Sequence, residues 1–137
     1  MHLDATGNLI SATGKRMLLY TLIASVYLHK IKCLVLLECL SDAHDQMTVA
    51  SVLQQWYHKS VKFLPSPSLI VTDMSWALMH GISLAFGSRN LKSQIIRQWN
   101  MIFNPNISGF ILRLCANHLI QIVCRRLKKS NAKQEVR

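Results

Sequence analysis

Apolar residues fall along this chain in short blocks separated by polar or glycine-containing breaks, and the spacing within the blocks predicts an α/β alternation. Ser68-Leu-Ile-Val-Thr-Asp73 is an apolar run closed by a carboxylate, which reads as a buried strand delivering Asp73 to its C-terminal edge. The opening His2-Leu3-Asp4-Ala5-Thr6-Gly7 repeats that grammar, with Asp4 after the tail of a strand and ahead of a glycine turn. Asn8 to Thr13, between Gly7 and Gly14, is a short strand or a hairpin arm. Met17 to Tyr27 is rich in β-branched and aromatic residues and Cys33 to Leu40 is another compact apolar run, so two further strands are predicted, with His29 to Lys32 as their turn. Helix is the rival reading for Met17 to Leu28, because a continuous apolar run has no decisive period.

Helical spacing follows. Val49, Val52, Leu53 and Trp56 share one helix face, with Ser41 and Asp42 upstream as N-cap oxygens and a stop ahead of Pro65-Ser-Pro67. Ser75 is placed to cap a second helix with Leu78, Ile82, Ala85 and Phe86 inward and Gly87 at the left-handed position after its end. Leu91, Ile95, Trp99, Ile102 and Phe103 form a third apolar stripe, stopped by Asn104-Pro105. A last apolar run, Ile107 to Leu114, leads through Cys115-Ala-Asn-His118 into the basic, helix-like Leu119 to Lys129. The polar tail 130–137 is read apart from the body 1–129.

Composition adjusts this picture in two ways. Half of the 137 residues are hydrophobic, so exposed apolar surface is expected, and with it a route to oligomerisation. The net charge of +10 is also lopsided: residues 1–86 carry +1 and residues 87–137 carry +9. A basic half suits a polyanion such as DNA or an anionic membrane surface, and is also what a plainly solvated face looks like. Met17 to Leu40 is broken by His29, Lys30 and Lys32, and neither part reaches the ~20 apolar residues that a spanning helix needs. No secretory signal opens the chain, so Cys33, Cys39, Cys115 and Cys124 are expected as reduced intracellular thiols, with a nuclear or cytoplasmic location.

Candidate chemistry is sparse. Asp4 and Asp73, two strand-end carboxylates, make a shared metal site conceivable, against the plainer reading of ordinary turn and cap residues. Cys115 and His118, three apart on a helix, have the spacing of two zinc ligands, although two ligands do not close a tetrahedral site. The alternative is a packed thiol and a capped imidazole. Arg113, Arg125, Arg126, Lys128 and Lys129 are placed to grip phosphates or to form a solvated helix end. Trp56, Trp76 and Trp99 are read as core anchors.

Taken in order, His2-Leu-Asp-Ala-Thr-Gly7, the Leu19-Tyr20 strand, Ser41-Asp-Ala-His44 ahead of a helix ending in Gln55-Trp56, and Val71-Thr-Asp-Met-Ser-Trp-Ala77 resemble the catalytic core of DDE transposases of the Mutator-like branch. Cys115-x-x-His118 with its basic helix resembles the Cys-x-x-His element of that branch. The resemblance implies an α/β, RNase H-like mixed sheet flanked by helices, with Asp4 and Asp73 as the first two acids at the ends of strands one and four, holding Mg²⁺ for DNA cleavage and strand transfer. The family's third acid has no clear counterpart, since Glu135 in the polar tail is the only acid after Asp73. Only three residues precede Asp4, fewer than the ~5–6 of a typical strand, so the core is expected to be partial at both ends. The resulting expectation is a transposase-derived fragment, catalytically inactive, with vestigial acids and weak nucleic-acid or protein binding. Two alternatives stand beside it: a nuclease completed by another chain or by Glu135, and a basic membrane-associated protein using Met17 to Leu40.

Overall fold

The computed structural model describes residues 1–10, 14, 16–28, 30–87 and 90–134, with side chains 8–10, 26–28, 30, 31 and 128–134 outside the description. Its elements in chain order are β1 (His2–Ile10), β2 (Arg16–Leu28), β3 (Lys30–Ser41), α1 (Gln46–Ser60), β4 (Leu69–Thr72), α2 (Trp76–Ala85), α3 (Leu91–Phe103), β5 (Ile111–Leu114) and α4 (Ala116–Gln134). Among the described residues the strands form one sheet in the order β3-β2-β1-β4-β5. β1, β2 and β3 pair antiparallel, while β4 joins β1 and β5 in parallel. This is the mixed, helix-flanked α/β sheet expected of an RNase H-like core.

Strand alternation puts Leu3, Tyr20, Leu22 and Ile70 on one face of the sheet. There they meet Val49 and Leu53 of α1 and Leu78 and Ile82 of α2, with Phe110 ahead of β5 closing the cluster. Gly81 lets the two helices approach: a Cβ there would lie 2.5 Å from Val49 Cγ1 and 2.6 Å from Val49 Cβ. Ser75 caps α2 as the sequence predicts, and Gly87 follows it at φ 121°.

Several expectations are corrected. β1 does not end at Asp4 but runs on through Gly7, its pairing with β2 shifting register between Thr6 and Leu9. A bulge absorbs the residues that the glycine was taken to turn. The cap of α1 is Asp45, whose Oδ1 accepts from the amides of Met47 (2.8 Å) and Thr48 (3.0 Å); Ser41 still belongs to β3. As expected, Met17 to Leu28 and Lys30 to Leu40 lie in strands, and no described helix is long and apolar enough to cross a membrane. The predicted turn at His29 lies outside the described residues, and Lys30 and Lys32 already belong to β3. α4 continues to Gln134, past the point where composition changes at residue 130.

The largest departure is α3. Of its predicted stripe only Leu91 is buried; Ile95, Trp99, Ile102 and Phe103 are exposed, as is Ile96, while Gln94 is buried. Gln94 Nε2 donates to the Phe110 carbonyl (2.8 Å), and the Gln98 amide forms a two-point pair with Leu112, Nε2 to its carbonyl at 3.2 Å and Oε1 from its N–H at 3.0 Å. α3 therefore packs by satisfying the backbone of the edge strand β5. Trp99 and Trp76 are both mostly exposed, not core anchors, whereas Trp56 packs against the core as expected.

Candidate metal centre at the end of the parallel strands

The register of β1, β4 and β5 builds the site. His2 pairs with Val71 and Val71 with Arg113; Leu3 pairs with Thr72 and Thr72 with Leu114. The next step along the sheet is Asp4, Asp73 and Cys115, just beyond the last paired residues. Hydrogen bonds of Met1 at the start of the pairing and of Cys115 at its end hold these strands in register. The Met1 ammonium donates to Leu69 O (2.8 Å), Val71 N to Met1 O (2.8 Å) and Cys115 N to Thr72 O (2.7 Å). Asp4 thus lies inside β1 yet at the end of its pairing with β4, so the two carboxylates converge as the sequence reading requires.

His118, in the first turn of α4, joins them. One ligand atom from each of Asp4, Asp73 and His118 lies within 4.8 Å of the other two, and all three residues are half-buried. Asp4 Oδ1 accepts from the amide of Ala5 (2.8 Å), and Asp73 Oδ1 from the Thr72 hydroxyl (3.4 Å). Burial pushes the Asp73 carboxyl above the ordinary carboxylate range and the charge of Asp4 pushes it further, while His118 pulls it back. His118 Nδ1 is shielded from solvent and has no hydrogen-bond partner among the described residues. Sequence spacing grouped His118 with Cys115; the close set holds His118 with the two aspartates and leaves Cys115 out.

Beside this edge, His44, in the loop ahead of α1, bridges Tyr20 of β2 to Ser75 at the cap of α2. The Tyr20 hydroxyl donates to Ala43 O (3.0 Å) and meets His44 Nδ1 at 2.8 Å, while His44 Nε2 meets Ser75 Oγ at 3.0 Å. If the single phenolic proton goes to Ala43, Nδ1–H donates to Tyr20 and Nε2 accepts from Ser75. Burial, then Asp45 and Cys39, raise the Tyr20 pKa, which keeps its proton in place. His44 and Ser75 belong to separate motifs, 31 residues apart, and nothing in that spacing announces the bridge.

The basic candidates lie on β5 and α4. Arg113 is exposed two rows behind the carboxylates, and Arg125 and Arg126 are exposed on α4. Lys128 and Lys129 belong to α4 but their side chains are outside the description, and Glu135 lies outside the described residues altogether. All four cysteines are free, Cys33 and Cys124 exposed.

Over 92 residues the chain is 29% identical to a 120.7 kDa protein in the NOF-FB transposable element of Drosophila melanogaster. The match covers 65% of this chain, which spans only 8% of that protein's length. No family model matches the chain. No solved structure matches it either.

Proposed function

We propose that this chain is a transposase-derived, RNase H-like core that binds DNA through its basic C-terminal part and holds a divalent cation between Asp4 and Asp73, without cutting DNA on its own. The observation that carries this reading is the convergence of the two carboxylates at the end of the parallel pair β1 and β4. Two unrelated turn residues have no reason to meet, and the likeness to a transposable-element protein supports a shared origin.

The residues fit the cation that the resemblance implies. Mg²⁺ is commonly held by one or two carboxylates, with water and substrate phosphate completing its shell. Such an ion, when bound, activates an attacking oxygen and stabilises a leaving one at a phosphodiester. Asp4 and Asp73 would supply the anionic ligands, and the cation would relieve the repulsion between them. Arg113 and Arg125 would hold phosphates alongside. Among the described residues, however, the third group at the site is an imidazole and not an acid. Two carboxylates fix a catalytic ion loosely, and misplacement of about 1 Å can cost about 100-fold in rate.

Two measurements test this reading. Supercoiled plasmid with Mg²⁺ or Mn²⁺ is expected to stay intact; dose-dependent nicking that Asp73→Asn abolishes overturns the claim of inactivity. Duplex DNA of any sequence is expected to bind, with affinity falling roughly 10²–10³-fold between about 50 and about 200 mM salt for five phosphate contacts. Binding that is indifferent to salt, or that survives Gln at Arg113, Arg125, Arg126, Lys128 and Lys129 together, removes the DNA interface.

A further inference from the structure

The third member of the cluster decides which ion it suits. Carboxylate oxygens are hard ligands compatible with Mg²⁺, Mn²⁺ and Zn²⁺ alike, but an imidazole nitrogen favours transition metals and adds little for Mg²⁺. His118 brings such a nitrogen to within 4.8 Å of ligand atoms on both aspartates. Two ligand atoms each about 2.1 Å from one ion lie about 3.0–4.2 Å apart, so small side-chain rotations close the set. Two carboxylates neutralise a divalent ion, and a neutral imidazole adds a ligand without further charge.

A second observation concerns His118 itself. Its Nδ1 is buried without a hydrogen-bond partner among the described residues, in contrast to the great majority of buried polar atoms. A third concerns the helix that carries it. From Ala116 to Leu127 the side chains of α4 are exposed, Leu119, Ile120, Val123 and Leu127 included, except at His118 and Ile122. These two lie one turn apart on a single face, which is the face α4 turns to the body of the protein. Little apolar packing is left to hold the helix down.

We propose that Asp4, Asp73 and His118 form a mixed oxygen–nitrogen site for a divalent transition metal of the Mn²⁺ to Zn²⁺ class, and that the bound ion pins the start of α4 to the sheet. The inference rests on the reading of Asp4 and Asp73 as cation ligands and adds to it the ion's identity and a structural role. One ion then ties three elements, β1, the end of β4 and α4. It also sets the direction of α4, and with it Arg125, which lies seven residues beyond His118 on the same helical face.

The test uses the full chain, freed of metal by chelation and carrying Cys115→Ser and Cys124→Ser so that thiols do not compete. Calorimetric titration with Zn²⁺, Mn²⁺ and Mg²⁺ is expected to show one ion per chain, with Zn²⁺ bound at least about 10-fold more tightly than Mg²⁺. His118→Ala and His118→Gln, each checked for folding by circular dichroism, should weaken Zn²⁺ at least about 10-fold and leave Mg²⁺ within about twofold. His118→Glu should move the preference toward Mg²⁺. Hydrogen exchange across 116–127 should slow when Zn²⁺ is added to the His118 chain and not to His118→Ala. If Asp73→Asn abolishes binding of every ion while both neutral His118 variants bind Zn²⁺ as the parent does, the nitrogen ligand is wrong and the carboxylate site stands. If no ion binds at millimolar concentration, the carboxylate reading falls first and this one with it.

Discussion

Asp4 and Asp73 stand one residue beyond the paired residues Leu3 and Thr72, on neighbouring parallel strands, and their carboxyl oxygens share a cluster no wider than 4.8 Å. Without a cation that arrangement is a cost to the fold. Burial raises the Asp73 pKa above its ordinary value of 3.8, Asp4 raises it further, and the pull of His118 in the other direction is smaller.

The sign of the pH dependence follows. Because its value is raised on folding, Asp73 binds its proton more tightly in the folded chain than in the unfolded one. The resulting stabilisation is complete below the unfolded value and is lost as pH rises through the raised folded value. In chelator at neutral pH, Asp73→Asn is therefore expected to raise the melting temperature by up to a few degrees, a gain that shrinks as pH falls through that window. Thermal melts of both proteins across the acid range check this. An Asn variant that melts lower than the parent at neutral pH contradicts the repulsion.

At the α1–α2 contact, Gly81→Ala pits two effects against each other. Alanine gains up to about 1 kcal/mol of helix propensity over glycine. Its Cβ, however, would sit 2.6 Å from Val49 Cβ and 3.1 Å from the Gln46 carbonyl, atoms close to or part of the α1 backbone and unable to swing aside. Overpacking of this kind costs about 1–3 kcal/mol, so a net loss of about 1–2 kcal/mol is expected in denaturant melts. A Val49→Gly background, which removes both Val49 atoms that the new Cβ meets, should relieve much of that loss; a cycle with no coupling would falsify the clash.

Much of this was legible from pattern alone. The run Ser68 to Asp73 announced β4, and Val49, Val52, Leu53 and Trp56 announced α1, because burial on one side imposes the period directly. Pairing of Asp4 with Asp73 was also legible, through the order of motifs. His118 was not: its neighbour in sequence is Cys115, and only the parallel register of β4 and β5 carries the start of α4 to the two acids. The bulge in β1 escaped notice because Gly7 is equally at home in a turn. On α3, an amphipathic stripe shows which residues share a face and not which face is covered. There the amides of Gln94 and Gln98 outcompete the apolar side for the sheet, because β5 has backbone groups to satisfy.

That exchange at β5 gives the last prediction. β5 ends the sheet, so its outer backbone groups would be open to another strand if α3 did not answer them. Gln94 and Gln98 do so in different settings. The carbonyl that Gln94 serves belongs to buried Phe110, where water cannot replace a lost donor, while the Leu112 groups served by Gln98 are only half-buried. Gln94→Leu keeps the volume and removes the donor, and is expected to cost about 1–3 kcal/mol, the penalty of a buried unsatisfied carbonyl. Gln98→Ala should cost about 1 kcal/mol or less, because water reaches the freed groups. Its mark should instead be association: sedimentation of Gln98→Ala is expected to depend on concentration more steeply than the parent's, through pairing at the uncovered stretch of β5. Equal destabilisation by the two substitutions, or a Gln98→Ala protein that associates no more than the parent, would show that α3 is held by something other than these amide contacts.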